Sequence, residues 1–430
     1  MKTIGKKKKV AVIGLGYVGL PLALLASKKG YEVYGIDLDT KKVEKINNKQ
    51  SPFLDERIEQ DIKKTKLRAV TDFSIIRDCE IVIICVPTPV NEDKSPDLSY
   101  VEKTSESIAK HIKKGTLVIL ESTVNPGVCE NIVIPIIERG SSLKAGEDFY
   151  VAHCPERINP GDKKWSVKNI NRVLGSLEEK GLKIAKNFYS SVIDGEIYTM
   201  GSLKEAEAVK IVENSFRDIN IAFVNELARS FYKMGIDVVN VINGAKTKPF
   251  SFMAHYPGCG VGGHCIPVDP YYLIEDAKKN GFDHVFLSNA RKINNDMPKF
   301  TVELFTESIK EKNINPSDAK VAVLGISYKA DIDDYRESPS FHIVEELKEQ
   351  GYKVKVFDPF VPSKSTVPNL EEALRDVDGV IIATDHTQFK KLKPELFIKN
   401  GIEIIVDGRN CLDKEKFVDS KIIYKGIGRQ

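Results

Sequence analysis

The sequence predicts an α/β protein with two similar α/β domains joined by a long central helix. Strand-like apolar runs alternate with helix-like segments in the first 200 residues, and the alternation returns after residue 300. Between these parts, Leu203–Lys233 contains no proline or glycine and repeats apolar residues at helical spacing. A helix of this length is too long for one small domain. We therefore expect it to connect domains and to offer a dimerisation face.

Composition limits the class of protein. The 430 residues carry a formal net charge of +3, with 42% apolar and 29% charged residues, which gives no reason to expect nucleic acid as a partner. The seven cysteines are dispersed without a CxxC pair, which argues against disulfides or structural zinc and for a reducing compartment. Lys6–Lys9 and the apolar run after it resemble a secretion signal, but three glycines and Pro21 interrupt that run. We expect a cytoplasmic protein without a bound metal or a membrane span.

The first domain opens with a dinucleotide-binding pattern. Val10–Ile13 predicts a buried strand, Gly14–Gly19 reads GLGYVG, and Leu20–Lys29 predicts a helix. In this context Gly14 allows a tight turn, Gly16 lets a pyrophosphate approach, and Gly19 lets the helix pack on the strand. A glycine-rich turn without a ligand is the alternative.

The next strand indicates which dinucleotide is bound. Glu32–Ile36 predicts a strand that ends in Asp37. A carboxylate at this point accepts the ribose hydroxyls and repels a 2′-phosphate, so it favours NAD over NADP. Lys41 and Lys42 lie nearby and weaken that preference.

Polar residues follow three further strands of this domain. Glu80–Val86, Leu117–Leu120 and Phe149–His153 read as strands, and Thr88, Thr123 and Glu156 come shortly after them. In an open parallel sheet, ligands lie beyond the carboxyl ends of the strands, so these side chains are expected to line the crevice. The alternative is that they are only strand-ending turns.

The central helix carries a polar face. Lys210 and Asn214 are four residues apart and project together, with Arg217 one turn from Asn214. Such residues are usually only solvated, so a functional role requires a partner loop.

The last third repeats the outline of the first. Strand patterns at Lys320–Gly325 and Lys353–Asp358 mirror those at the start of the chain, but Gly325 is followed by Ile-Ser-Tyr-Lys-Ala without the later glycines. This domain therefore resembles a nucleotide-binding domain that cannot seat a dinucleotide pyrophosphate in the same way. Its loop ends carry cations suited to phosphate or carboxylate groups, namely Lys329, Arg336 and Arg409.

The most unusual segment is Pro257–Pro270, which reads PGCGVGGHCIPVDP. Its four glycines permit unusual backbone conformations and a close approach to a ligand. Cys265 follows the last pair and is a candidate covalent nucleophile. The alternative is a small buried hydrophobic residue, which is the reading we favour for Cys259.

Six motifs, in order, resemble the UDP-glucose/GDP-mannose dehydrogenase family over essentially the whole chain. They are Gly14–Pro21 (GLGYVGLP), Glu121–Gly127 (ESTVNPG), Cys154–Gly161 (CPERINPG), Ala206–Asp218 (AEAVKIVENSFRD), Pro257–Pro270 and Tyr328–Pro339 (YKADIDDYRESP). The resemblance implies a Rossmann NAD-binding domain (1–200), a central helical dimerisation and catalytic-loop region (201–300) and a UDP-sugar-binding α/β domain (301–430). It also implies a homodimer.

The family oxidises the C6 alcohol of a nucleotide sugar to a carboxylate with two NAD molecules. The resemblance implies Cys265 as the nucleophile, Lys210 as the basic or oxyanion-stabilising amine, and support from Asn214, Asp269, Thr123 and Glu156. It implies NAD contacts from Gly14, Gly16, Tyr17, Val18, Gly19, Asp37, Lys42, Thr88, Thr123 and Arg336. It implies UDP-sugar contacts from Arg157, Ile158, Lys210, Asn214, Arg217, Phe252, Tyr256, Gly262, Lys329 and Arg409.

The segment after Pro155 departs from the pattern common in UDP-glucose enzymes, because it has Arg157 and lacks a second acid before Gly161. This version resembles members that act on UDP-N-acetylglucosamine or UDP-N-acetylmannosamine, and an arginine can donate to an acetamido carbonyl. UDP-glucose is the alternative substrate. A non-catalytic NAD- or nucleotide-sugar-binding protein and a two-electron hydroxyacid dehydrogenase are alternatives of other classes. The latter would have no use for Cys265 or the second α/β domain.

Overall fold

The computed structural model describes residues 8–53, 55–91, 93, 95–158, 164–263 and 265–430. Part of the basic Lys6–Lys9 segment, the last three residues of the Cys154–Gly161 motif, and His264 lie outside these ranges. The chain forms two compact units. The N-terminal unit comprises Met1–Glu213 and Tyr271–Gly281, and the C-terminal unit comprises Asn214–Pro270 and Phe282–Gln430. The boundary thus falls inside the central helix, and the division into three domains stays a prediction.

The N-terminal unit is built on a sheet of eight strands in the order β3-β2-β1-β4-β5-β6-β7-β8. Neighbouring strands are parallel except for the antiparallel β6 and β7. The strands are β1 Lys9–Ile13, β2 Glu32–Ile36, β3 Arg68–Val70, β4 Ile81–Ile84, β5 Leu117–Leu120, β6 Tyr150–His153, β7 Arg172–Ser176 and β8 Ile197–Thr199.

The N-terminal unit also contains helices. They are α1 Gly19–Lys28, α2 Thr40–Asn47, α3 Glu56–Ile62, α4 Ser99–Ala109, α5 Ile134–Ser141, α6 Glu179–Val192 and the first part of α7 Leu203–Met234. One turn of π-helix, Cys129–Val133, precedes α5. Alternate residues of β1 enter different apolar clusters, Val10 and Val12 in one, Ala11 and Ile13 in the other. Both faces of the sheet are therefore covered, which explains the continuous apolar strand sequences.

The C-terminal unit contains a parallel sheet of five strands in the order β10-β9-β11-β12-β13. The strands are β9 Lys320–Leu324, β10 Lys353–Phe357, β11 Gly379–Ile382, β12 Ile404–Asp407 and β13 Ile423–Gly426. The remaining helices of the chain are α8 Val238–Ala245, α9 Asp269–Lys279, α10 Val285–Asn295, α11 Met297–Glu311, α12 Pro339–Glu349, α13 Leu370–Leu374 and α14 Pro394–Lys399. Helix α9 begins in the C-terminal unit and continues in the N-terminal one.

The predicted fold class is confirmed, with two Rossmann-like α/β sheets and the 32-residue helix α7 between them in the chain. Four large apolar side chains of α7 are exposed, namely Val212 at 56%, Phe216 at 48%, Phe223 at 52% and Met234 at 62%. Among the described residues, none of the helices combines the length and the hydropathy that a bilayer span requires.

Candidate active site

The three glycines of the first βα turn have different surroundings. Gly14 has φ +89°, and a Cβ there would lie 2.6 Å from the carbonyl oxygen of Cys85. A Cβ on Gly19 would lie 2.0 Å from the carbonyl oxygen of Gly14. A Cβ on Gly16 would meet nothing within 4 Å. Gly14 and Gly19 are thus required by the protein's own packing, whereas the space beside Gly16 is open among the described atoms.

Asp37 is held at the end of β2 in the position expected for ribose recognition. Its Oδ2 accepts the backbone N–H of Leu15 at 2.9 Å and pairs with Lys42 Nζ at 2.8 Å. Its Oδ1 accepts the backbone N–H of Asp39 at 3.0 Å. Close by in sequence, the ring of Tyr17 packs on Phe53, and Val18 precedes α1. Because Lys42 is bound to Asp37, it offsets part of the repulsion that the carboxylate exerts on a 2′-phosphate.

The loops after β4 and β5 meet through two predicted residues. Thr88 is buried, and its hydroxyl donates to the carbonyl of Thr123 at 2.7 Å. The carbonyl of Thr88 accepts a hydrogen bond from the hydroxyl of Tyr272 on α9. Tyr272 was not predicted from the sequence, because its partner lies 184 residues earlier.

Glu156 lies in a buried ionic cluster that the sequence did not reveal. The guanidinium of Arg172, at the start of β7, donates to Glu156 Oε2 and lies 3.8 Å from Glu121 Oε2. The side chain of Arg172 is completely buried, as is that of Glu121. The hydroxyl of Tyr189 donates to Glu121 Oε1 at 2.5 Å. An arginine beside Val173 and Leu174 in a buried strand was the available signal, since a buried charge requires a partner.

The cluster holds two carboxylates and one guanidinium, so one negative charge is left without a counter-charge. Burial raises the pKa of Glu121 to about 7, with Arg172 opposing the shift and Glu156 adding to it. The protonated form of Glu121 is therefore substantially populated near neutral pH.

Glu156 also shapes the segment that follows it. Its Oε1 accepts the backbone N–H groups of Arg157 at 2.6 Å and Ile158 at 2.8 Å. The guanidinium of Arg157 pairs with Glu213 of α7 and donates to the carbonyl of Asn171 at 3.0 Å. Arg157 is thus fixed by its partners, with the remaining N–H groups left for a ligand.

The predicted polar face of α7 contains two buried residues and one exposed residue. Lys210 is 8% exposed and forms no ion pair with any residue that the structure describes. Asn214 is 9% exposed, and its side-chain amide donates to Asp269 Oδ2 at 2.5 Å. Arg217 is exposed. Asn214 therefore has a partner in the segment that follows Cys265, as a functional role for this helix face requires.

Cys265 is exposed and begins a helical turn that leads into α9. Its carbonyl accepts the backbone N–H groups of Val268 at 3.1 Å and Asp269 at 2.8 Å. The exposed thiol therefore lies one turn before Asp269, which is 2% exposed. The same turn fixes the carboxylate that Asn214 binds.

The glycines of Pro257–Pro270 are explained by packing within the C-terminal unit. An added Cβ would lie 2.9 Å from the guanidinium of Arg409 at Gly258, and 2.7 Å from Pro339 at Gly260. At Gly262 and Gly263 it would lie 2.7 Å and 2.8 Å from Tyr328. The close approach that these glycines permit is thus to the protein itself. Cys259 is completely buried, as expected of a structural residue.

Cationic groups surround this loop. Arg336 binds Asp334 through two guanidinium nitrogens, at 2.9 Å and 2.6 Å, and its carbonyl accepts the backbone N–H of Gly263 at 3.0 Å. Burial raises the pKa of the Tyr328 hydroxyl to about 12, with Asp334 and Cys265 adding to the shift and Arg336 and Arg217 opposing it. Arg336 and Arg217 are therefore close enough to affect the electrostatic potential around Pro257–Pro270, which we call the thiol loop.

The second α/β domain repeats the first βα turn, but the acidic residue after its second strand has different surroundings. Gly325 has φ +101°, and its N–H donates to the carbonyl of Phe357 at 2.8 Å, as Gly14 does to Ile36 at 2.8 Å. Asp358 corresponds to Asp37 in this comparison.

Asp358 is completely buried and fully engaged. Its Oδ2 accepts the backbone N–H groups of Ile326 at 2.6 Å and Ser327 at 2.8 Å, and lies 3.0 Å from His386 Nε2. Since the backbone N–H of Asp331 donates to His386 Nδ1 at 2.9 Å, the ring carries its proton on Nε2. These hydrogen bonds hold the pKa of Asp358 well below its ordinary value, against the effect of burial. The Asp358 carboxylate is thus bound by groups of the protein itself, and the prediction that this domain cannot seat a dinucleotide pyrophosphate in the same way stays a prediction.

The remaining predicted substrate residues lie in the C-terminal unit. The hydroxyl of Tyr256 donates to Asn243 at 2.8 Å, and Arg409 lies 3.8 Å from Asp385. Phe252 and Lys329 are partly buried.

Comparison with known proteins identifies the family. Three parts of the UDP-glucose/GDP-mannose dehydrogenase family match in order: the NAD binding domain at residues 8–193, the central domain at 204–296 and the UDP binding domain at 322–414. The chain is similar to the UDP-N-acetyl-D-mannosamine dehydrogenase of Pyrococcus horikoshii, with 39% identity over 98% of this chain and 99% of that protein. It is similar to the UDP-N-acetyl-D-glucosamine 6-dehydrogenase of Pseudomonas aeruginosa, with 37% identity over 96% and 99%.

The solved structure of the Pyrococcus horikoshii UDP-D-ManNAc dehydrogenase superposes with a TM-score of 0.92 at 38% identity, covering 98% of this chain and 99% of that one. The order of the three matched parts agrees with the motifs found in the sequence. The chain therefore belongs to the UDP-glucose/GDP-mannose dehydrogenase family and is an NAD-dependent nucleotide-sugar 6-dehydrogenase.

Proposed function

We propose that this protein oxidises the C6 alcohol of a UDP-N-acetylhexosamine, UDP-N-acetylglucosamine or UDP-N-acetylmannosamine, to the uronic acid. The observation that carries the proposal is the turn Cys265–Asp269, in which an exposed thiol precedes a buried carboxylate held by Asn214. A four-electron oxidation needs a group that retains the aldehyde after the first step. An accessible thiol meets that need, because it is a strong nucleophile and an acceptable leaving group.

NAD, when bound, accepts a hydride in each of the two oxidation steps. The thiolate of Cys265 adds to the C6 aldehyde and forms a thiohemiacetal. Loss of the second hydride converts this adduct to a thioester on the same sulfur. Water then cleaves the thioester, which releases the C6 carboxylate and returns the Cys265 thiol. Each sugar therefore gives one acid and two NADH.

Separate roles are proposed for the buried polar residues of α7 and for those of the turn Cys265–Asp269. Lys210, as a cation with no described ion-pair partner, stabilises the negative oxygen that develops at C6. Asp269 orients the hydrolytic water, and Asn214 fixes the Asp269 carboxylate through its amide hydrogen bond. Thr123 and Glu156 act as supporting residues.

The remaining predicted residues are proposed contacts of the two ligands. Those proposed for NAD are Gly14, Gly16, Tyr17, Val18, Gly19, Asp37, Lys42, Thr88, Thr123 and Arg336. Those proposed for the UDP-sugar are Arg157, Ile158, Lys210, Asn214, Arg217, Phe252, Tyr256, Gly262, Lys329 and Arg409. The open space at Gly16 and the fixed carboxylate of Asp37 support the first set.

Two observations favour an N-acetylated sugar over UDP-glucose. Relatives that share more than a third of their residues with this chain carry the names of UDP-N-acetylhexosamine dehydrogenases. Arg157 is held in place by Glu213 and by the carbonyl of Asn171, so a free N–H of its guanidinium is available to the acetamido carbonyl at little cost in side-chain entropy. The uronic acid product would serve as a precursor for surface polysaccharide or glycan.

The proposed oligomeric state is a homodimer. Phe216 and Phe223 of α7 are about half exposed, and apolar surface of this kind on one helix supports a homodimer through that helix. We propose a cytoplasmic enzyme, in keeping with the dispersed cysteines of the sequence.

The experiment is a substrate panel read as NADH formed. Purified protein is given NAD with UDP-N-acetylglucosamine, UDP-N-acetylmannosamine or UDP-glucose, and kcat/KM is compared. One of the two N-acetyl sugars is expected to exceed UDP-glucose at least tenfold. Preference for UDP-glucose would overturn the substrate assignment. Tight binding of UDP-sugar without NADH formation would support the non-catalytic alternative.

A further inference from the structure

A second cluster of reactive side chains lies in the core of the N-terminal unit. Cys129 starts the single π-helical turn, His153 ends β6, and Glu207 lies in the second turn of α7. All three side chains are buried, and their ligand-type atoms lie within 4.8 Å of one another. We call these residues the buried triad. No step of the proposed reaction uses them.

Glu207 is a buried carboxylate without a cation of its own. It is completely buried and forms no ion pair with any residue in the described ranges. Its oxygens accept the backbone N–H groups of Gly127 at 2.5 Å and Cys129 at 2.8 Å. Carboxylates are almost never fully buried unless they are paired or bind a metal. The Cys129 thiol also hydrogen-bonds to this carboxylate, and the two oxygens together keep a lone pair for a further ligand.

His153 is the second unusual side chain of the buried triad. It is completely buried, and neither of its ring nitrogens has a hydrogen-bond partner among the described residues. A buried polar group left in this state destabilises the folded protein. In its neutral form the ring offers the lone pair of one nitrogen to a ligand. A neutral imidazole of this kind is the most common metal ligand in proteins.

We propose that the buried triad binds one zinc ion through Cys129 Sγ, a ring nitrogen of His153 and a carboxylate oxygen of Glu207. One sulfur, one nitrogen and one oxygen are the donor types that zinc takes from proteins. A thiolate and a carboxylate balance the charge of Zn²⁺, so the occupied site is neutral, as a buried site requires. Binding converts the Cys129 thiol to a thiolate and releases one proton.

The geometry is close to that of a zinc site. Tetrahedral zinc with ordinary bond lengths separates its ligand atoms by about 3.3–3.6 Å, so side-chain rotation must close the present separations of up to 4.8 Å. Three protein ligands leave the fourth position to water. The ion would tie the turn that follows Thr123 to α7, because Cys129 and Glu207 belong to these two segments.

Sequence patterns could not predict this site, since its ligands are 24 and 54 residues apart and fall outside the paired spacings of zinc motifs. The structure assigns them to one site through the burial of all three and the unpartnered imidazole.

The test measures metal content and ligand type in the full-length chain. The Cys265→Ala variant is used as the background, because it removes the exposed thiol as a source of metal–sulfur signals. After growth with added zinc and gel filtration, about one zinc per chain is expected by mass spectrometry of metals. After chelation and loading with Co²⁺, a thiolate-to-cobalt charge-transfer absorption band is expected.

Two further variants locate the metal. Adding Cys129→Ala should abolish the charge-transfer band and lower the zinc content at least fivefold. Cys79→Ala, which removes another fully buried thiol of the same unit, should leave both unchanged. If Cys129→Ala does not fold, as judged by circular dichroism, the cobalt spectrum of the Cys265→Ala variant alone tests the proposal. Absence of the band, or its persistence in a folded Cys129→Ala variant, would overturn the proposal.

Discussion

Replacing Glu121 by glutamine tests the charge assignment of the buried cluster of Glu121, Glu156 and Arg172. Burial raises the pKa of Glu121 from 4.5 to about 7 in the folded protein. As pH rises from 4.5 through 7, the unfolded chain loses this proton while the folded chain still holds it. The folded state is therefore penalised progressively across that window, by about 3 kcal/mol once pH exceeds 7. Glutamine cannot ionise and still accepts the Tyr189 hydroxyl, so Glu121→Gln removes the penalty.

The free energy of unfolding is measured in urea at pH 5, 6, 7 and 8, followed by the fluorescence of Trp165. This is the single tryptophan of the sequence, and it reports on the N-terminal unit. The stability of Glu121→Gln relative to the wild type should rise by about 2–3 kcal/mol between pH 5 and pH 8. Glu106→Gln, at an exposed position on α4, should show no such trend. A difference between Glu121→Gln and wild type that is independent of pH would refute the assigned charge state.

Further predictions concern the cation of this cluster, the first βα turn and the proposed dimer face. Arg172→Met leaves two buried carboxylates without their cation, so it should cost about 3–5 kcal/mol in urea unfolding and lower kcat, with Arg172→Lys recovering part of both losses. Gly16→Ala should leave the melting temperature unchanged and raise the KM for NAD at least tenfold. Gly14→Ala should lower the melting temperature, because its Cβ would lie 2.6 Å from a carbonyl oxygen. Phe216→Asp should convert a dimer to a monomer in light scattering, and an unchanged mass would contradict the proposed interface.

Local patterns were sufficient for most of the fold. The bounds of β1, α1 and β2 agree with the sequence within one residue, because apolar periodicity and the GxGxxG turn are encoded by neighbouring residues. The long helix was predicted as Leu203–Lys233 and ends at Met234.

Local sequence patterns could not predict the contacts between residues that are distant in the chain. Asn214 and Asp269 were each proposed from a motif, but their hydrogen bond joins positions 55 residues apart. Arg172 was missed, because no pattern at β7 points to Glu156 or Glu121. The glycines of the thiol loop were predicted to permit a close approach to a ligand, and the atoms found beside Gly260, Gly262 and Gly263 belong to Tyr328 and Pro339.

The central claim is that Cys265 carries the sugar between two oxidations, and the number of NADH formed per sugar tests it most directly. With limiting UDP-N-acetylhexosamine and excess NAD, the wild type should give two NADH and one uronic acid per sugar. Cys265→Ala should give no acid, while the matched Cys411→Ala control should give the wild-type ratio. One NADH per sugar in the wild type, or two NADH at the wild-type rate in Cys265→Ala, would contradict the account.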